Sequence, residues 1–93
     1  MAALAYVEVT YHLSGCRSLK ERRSRLLPLL DRLGRQRHLA LCQAPGDALK
    51  AASLAIAVVA PDRATLQQRL DAVLRSLEDD VDAVVVSLEH EVL

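Results

Sequence analysis

Ser18 and Glu21 stand three residues apart at the head of an apolar-periodic run, with Arg17 ahead of them and Lys20, Arg22, Arg23 and Arg25 interleaved or following. That spacing predicts a capping box, in which the Ser18 hydroxyl accepts from the Glu21 N–H and the Glu21 carboxylate reaches back to the Ser18 N–H. A helix therefore starts at Leu19. Its first two turns carry four cations, although the macrodipole already places roughly half a positive charge there. Cations so placed weaken the isolated helix, which makes an anion their expected partner. Backbone N–H groups, helix dipole and basic side chains together are suited to phosphate or carboxylate. Arg17, Ser18, Lys20, Arg22, Arg23 and Arg25 are thus the candidate anion or RNA-binding residues. The competing arrangement is a solvated basic face, with Arg22 or Arg23 paired to Glu91 or Asp47.

Other chemistry is poorly represented. Cys16 beside Arg17 and a helix start has the surroundings that lower a thiol pKa, but no general base accompanies it, so a bystander thiol is the expectation. His12, His38 and His90 fall on different strands, and no His, Cys, Asp and Glu spacing matches a metal site. Glu78 to Asp82 lacks the spaced oxygen ligands and glycine of an EF-hand loop. No catalytic residue, cofactor or metal is assigned, and the chain reads as non-catalytic.

The elements that position the basic segment follow from periodicity. Leu4 to Leu13 alternates, with Ala5, Val7, Val9, Tyr11 and Leu13 on one face, and predicts a half-buried strand. Gly15 permits the sharp turn that follows. In the first helix Leu19, Leu26, Leu30 and Leu33 form the stripe, flanked by Leu27 and Leu29, and Arg23 falls inside it and must snorkel. Pro28 cannot donate to the Ser24 carbonyl, which predicts a kink or a local defect at mid-helix. Gly34 is the expected end of this helix or the start of a short extension through Arg37. Leu39 to Ala44 is a short strand, Pro45-Gly46-Asp47 a turn, and Ala51 to Ala60 a strand apolar on both faces and hence central. Asp62 caps a second helix with Leu66, Leu70, Val73, Leu74 and Leu77 at helical spacing, ended by the acidic turn Glu78 to Asp82. Ala83 to Val92 is the last strand, its alternation setting Val84, Val86, Leu88 and Val92 against Val85, Ser87, Glu89 and Glu91.

The order βαββαβ packs as an α+β ferredoxin-like sandwich over residues 1–93: a four-stranded antiparallel sheet, order 4-1-3-2, with two helices on one face. The open face then presents Tyr6, Thr10, Ala40, Cys42, Ala55, Ala57, Val59, Val85 and Ser87, rather apolar for a surface in water. That patch is the expected partner interface, most simply a homodimer packed sheet to sheet. Base stacking as in RNA-recognition sheets is excluded, because the chain has neither Phe nor Trp. Acylphosphatase chemistry, which shares the fold, requires an asparagine to hold water, and the chain has none.

Ninety-three residues suffice for one core. Twelve basic and twelve acidic residues cancel, so no global field draws the chain to nucleic acid or lipid. Their distribution is uneven: eight of the twelve basic residues lie between Arg17 and Arg37, and seven of the twelve acidic ones from Asp71 onward. A molecule basic on one side is the expectation. Two cysteines are too few for a disulfide framework, and neither a signal peptide nor a membrane span is readable, which points to a cytoplasmic protein with reduced thiols.

Ser18-Leu-Lys-Glu-Arg-Arg23 after a strand ending His12-Leu-Ser-Gly15, together with Leu54-Ala-Ile-Ala-Val-Val-Ala-Pro-Asp-Arg63, resembles the YlxP-like proteins, the bacterial domain of unknown function family 503. The resemblance implies a ferredoxin-like fold and no settled activity; its members are often encoded near translation-initiation and ribosome-maturation factors. Gln43, Pro45 and Leu49 depart from its pattern, where acidic, acidic and aromatic residues are expected. The expected function is a binding module that contacts RNA or a ribosomal partner through the basic helix start. The alternative is a homodimeric regulatory or scaffold module using the open sheet face, with a small anion at the Gly15 loop.

Overall fold

A computed structural model describes residues 1–46 and 48–93, so the Asp47 position of the predicted turn lies outside the described residues. The chain runs β1 (Ala3–His12), α1 (Leu19–Gly34), β2 (Leu39–Gln43), β3 (Ala51–Ala60), α2 (Arg63–Asp79) and β4 (Val84–Val92). The strands form one antiparallel sheet in the order β2-β3-β1-β4, which is the predicted order read from the other edge. It is a ferredoxin-like α+β fold. Strict alternation places Ala5, Val7, Val9 and Tyr11 of β1 and Leu54, Ile56 and Val58 of β3 beneath the helices, all buried. Leu26, Leu29 and Leu33 of α1 and Leu66, Leu70, Val73 and Leu77 of α2 close the same core. Burying each of these leucines contributes roughly 1.5–3 kcal/mol, which is what holds two otherwise marginal helices on the sheet.

Both helix starts are capped from their own sequence. The Ser18 hydroxyl accepts from Glu21 N–H at 3.0 Å, and the Asp62 carboxylate accepts from Thr65 N–H at 2.7 Å. The end of α2 is secured from across the core. Tyr11 donates its phenol to the carbonyl of Leu77 at 2.5 Å. That carbonyl belongs to the last turn of α2, where no further intrahelical donor follows. Burial, with the nearby Glu78 charge adding to it, pushes the Tyr11 phenol far above its ordinary range, so it remains a donor at any ordinary pH. Tyr11→Phe keeps the ring but leaves a buried carbonyl unmet, and its expected cost is about 1–3 kcal/mol, read as a lowered urea midpoint at unchanged m.

Three local expectations change. Leu19 is 43% exposed and Leu27 53% exposed, so the buried stripe of α1 is centred on Leu26, Leu29 and Leu33 with Leu30 half-buried beside it. This phase turns Arg23 to solvent and brings Arg22 and Arg25 against the fold. Second, α1 is continuous through Pro28; Pro28 and Ser24 both lie on the exposed face, where water can take the Ser24 carbonyl. Third, β4 carries a bulge: Thr10 pairs with Ser87 but Tyr11 pairs with Val85, leaving Val86 without a partner. The extra residue reverses the facing of the strand's first part. Val85 packs against the core beneath the helices, whereas Val84, opposite His12, is on the open face and 61% exposed. Val85 is therefore no part of the open-face interface predicted from simple alternation.

Candidate functional site

The basic segment lies where the ends of β1, β2 and β3 meet the start of α1. Gly15, at φ 71°, takes the left-handed turn that brings the chain from β1 into the helix. Ser18 is the N-cap, as predicted, so its hydroxyl is spent on the helix itself. The Glu21 carboxylate accepts from the N–H of Arg17 at 2.6 Å rather than from that of Ser18. The box thus closes one residue earlier, because the extended N-cap, φ −152°, leaves the Arg17 N–H aimed at the helix start. Glu21 is held below its ordinary range first by this Arg17 hydrogen bond and then by the Cys16 thiol. Its carboxylate occupies part of the positive end of the helix.

The predicted cations then separate into three groups. Arg25 belongs to the fold. Its Nε donates to the Asp82 carbonyl at 2.8 Å and its Nη1 to the Ser14 carbonyl at 2.8 Å, with Asp82 Oδ2 3.3 Å from Nε. The side chain is only 15% exposed. It joins the β1–α1 loop to the α2–β4 turn and is not available to a ligand, which corrects its place among the candidate anion-binding residues. Arg22 is intermediate: its Nε donates to the Ala51 carbonyl at 3.1 Å, where α1 meets the start of β3. Its side chain forms one wall of a cleft of about 140 Å³ with Ala44, Pro45, Gly46, Ala48, Ala51 and Ser53. Arg17, Lys20 and Arg23 are exposed and have no carboxylate within ion-pair distance among the described residues. Lys50, adjacent to Ala51, joins this side of the molecule; nothing in the sequence connects it to residues nearly thirty positions earlier.

Glu91 is not a partner for these arginines, since it sits opposite Tyr6 on the open face of the sheet. Asp47, the other predicted partner, lies outside the described residues. The uneven charge distribution is partly used internally: Arg25 meets Asp82, and Arg32 meets Asp80 at 3.0 Å. Cys16 is 2% exposed and donates its thiol to the Ser18 carbonyl at 3.4 Å, so it packs into the core beside the helix start. Among the described residues no group of three or more His, Cys, Asp and Glu side chains could hold a metal ion.

On the open face the register rows Ala40–Ala57–Tyr6 and Cys42–Ala55–Glu8 place Tyr6, Ala40, Cys42, Ala55 and Ala57 together, with Val59 beside Leu4 and Thr10 hydrogen-bonded to Ser53 at 2.9 Å. Eight of the nine residues predicted for the open face share it, Ser87 opposite Thr10 among them, and Val85 does not. Toward β4 it becomes acidic, with Glu8 directly opposite Glu89 and Glu91 opposite Tyr6. Tyr6 donates to the Glu8 carboxylate, which raises the Tyr6 phenol.

The Asp62 carboxyl is likewise held low, chiefly by the Thr65 N–H. Both cap carboxylates therefore bind protons less readily when folded than when unfolded. Each contributes its full stabilisation above its ordinary value, 4.5 for Glu21 and 3.8 for Asp62, and loses it as pH falls through the lower folded value. Stability is expected to fall on acidification below about pH 4.5, and Glu21→Gln to flatten the upper part of that fall, measured by urea midpoints against pH.

No helix among the described residues is long and apolar enough to cross a membrane. Similar solved structures include the de novo designed protein Foldit4, 9% identical over 100% of this chain and 97% of that one, TM-score 0.56. They also include a structural-genomics structure of the protein YJCS, 8% identical over 95% of this chain and 96% of that one, TM-score 0.53. At these identities the likeness shows the fold alone. No curated protein matches the chain. The family described as "Protein of unknown function (DUF503)" matches residues 4–90, nearly the whole chain, and the protein belongs to it.

Proposed function

We propose that the protein is a non-catalytic binding module that contacts the phosphate backbone of RNA, in a ribosomal setting in the cytoplasm, through Arg17, Lys20, Arg22 and Arg23. The observation that carries this reading is the division among the cations. Arg25 and Arg32 are paired within the fold, while Arg17, Lys20 and Arg23 lie exposed at one helix start with no carboxylate partner among the described residues. Long cationic side chains there oppose the helix dipole, and a polyanion relieves that opposition. The contact is to phosphate rather than bases, because the sheet face offers a single tyrosine and is acidic toward β4. Three to four phosphate contacts give a slope of log K against log salt of about −2 to −4. Fluorescence anisotropy with a labelled RNA hairpin across a salt series measures that slope. Binding that ignores salt, or no binding at 50 mM salt, would contradict the reading.

A further inference from the structure

We propose that the free edge of β2, with the flank of α1 above it, pairs with a second copy of the chain across a two-fold axis at Leu41 and makes one eight-stranded sheet. The Val59 N–H donates to the His38 carbonyl at 2.8 Å and the Ala44 N–H to the Ser53 carbonyl at 2.9 Å. These bonds set the phase of the β2–β3 ladder: positions 38, 40, 42 and 44 direct their main chain at β3, and Leu39, Leu41 and Gln43 direct theirs outward. None of those outward groups meets a partner among the described residues. The outward positions are symmetric about Leu41. An antiparallel second copy therefore matches Leu41 with Leu41 and Leu39 with Gln43, satisfying every donor and acceptor on the edge.

The two edges of the sheet differ in protection. β4 carries the bulge together with Glu89, His90 and Glu91, devices that discourage further pairing. β2 reads Leu-Ala-Leu-Cys-Gln, with no charge, proline or bulge. Its half-buried Leu41 would be covered by Leu41 of the second copy, and its half-buried Leu39 by Gln43 and, diagonally, Leu41 of that copy.

A five-residue ladder alone is small against the roughly 1,000 Å² that a specific interface clears. The flank of α1 enlarges it. Arg25 and Arg32 mark the side of α1 that meets the α2–β4 turn, and Leu27 lies about 200° round the helix from Arg25, on the side away from it. Leu19 and Leu27 are the exposed large apolar side chains of the two helices. Arg22 and Ala44 line one cleft and so stand at the same height. Three strand residues from Ala44 to Leu41 span about 10 Å, the length of about seven helical residues, which brings the two-fold within a turn of Leu27. Two α1 helices then run antiparallel around Leu27. Arg23 and Asp31, four residues to either side of Leu27, meet their opposites across the axis, and neither is ion-paired among the described residues. This charge complementarity favours a second copy over a foreign strand. The dimer is independent of RNA binding except that it takes Arg23, leaving Arg17, Lys20 and Arg22 to phosphate.

The pairing has a register that cysteine chemistry reads. Ala40 of one copy would face Cys42 of the other as a non-hydrogen-bonded pair, Cα atoms about 4.5 Å apart, within disulfide reach. The two Cys42 residues would be about 8 Å apart, beyond it. The experiment combines sedimentation equilibrium of the wild-type chain with oxidation of Ala40→Cys. The expected result is a dimer mass, with covalent dimer forming in Ala40→Cys and not in wild type. Arg23→Asp should weaken the dimer roughly tenfold, and adding Asp31→Arg should restore it. A monomer at several hundred micromolar would overturn the proposal. So would a dimer in which Ala40→Cys does not cross-link, since sheets packed face to face hold their Cα atoms roughly 10 Å apart.

Discussion

Replacing Arg25 by alanine is expected to lower stability by about 2–3 kcal/mol, whereas Arg23→Ala, two residues away, should change it by less than about 0.5 kcal/mol. Both arginines lie in the same basic run, and their difference is positional. The Arg25 guanidinium serves two carbonyls at 2.8 Å, Ser14 and Asp82, and is 15% exposed. Those contacts connect three segments far apart in sequence, and hydrogen bonds from a charged donor are worth about 1.5–3 kcal/mol each where burial protects them. Here the carbonyls lie on exposed residues, where water replaces part of the loss, so the sum stays near the value of one strong bond. Arg25→Lys should recover little, because an ammonium lacks the fork that reaches both carbonyls. Thermal denaturation measures the difference as a fall of roughly 10 °C for Arg25→Ala and almost none for Arg23→Ala.

The double reversal Arg17→Glu/Lys20→Glu should leave the fold intact, spare the Arg23 contact of the proposed dimer, and reduce RNA affinity roughly 100-fold at 50 mM salt. Raising salt from 50 to 200 mM already removes roughly 20–40-fold of affinity if three cations each displace a counterion. Reversal removes two of those contacts and adds repulsion. The Arg17 and Lys20 side chains are exposed and make no ion pair among the described residues, so folding is expected to survive. If the folded variant bound RNA as well as the wild type does, the basic helix start would not be the site.

Much of the fold was readable because its determinants are local. Ser18 and Asp62 announce the helix starts by residue type, and strict alternation in β1 and β3 assigns their two faces. What escaped depends on partners distant in the chain. The phase of α1 was anchored on Leu19, which the structure leaves exposed, so Arg23 was placed inward and Arg22 and Arg25 were not. In β4 the run Val84-Val85-Val86 is apolar at every position, and alternation has no mark by which to show that one residue is extra. The site was legible as a charge cluster but not as a division. Whether an arginine is spent on the fold is decided by Ser14, Ala51 and Asp82, between eleven and fifty-seven residues away from the arginines they meet, none marked in the basic segment.

If the exposed cations at the start of α1 engage a ribosomal polyanion, salt and the charge of that segment control the contact. Co-sedimentation of the purified protein with ribosomal subunits at low and moderate salt, beside the Arg17→Glu/Lys20→Glu variant, measures that contact. The expected result is wild-type protein in the pellet at low salt, release as salt rises, and the folded variant in the supernatant throughout. Wild-type protein remaining in the supernatant at low salt, or pelleting equally with its variant, would contradict it.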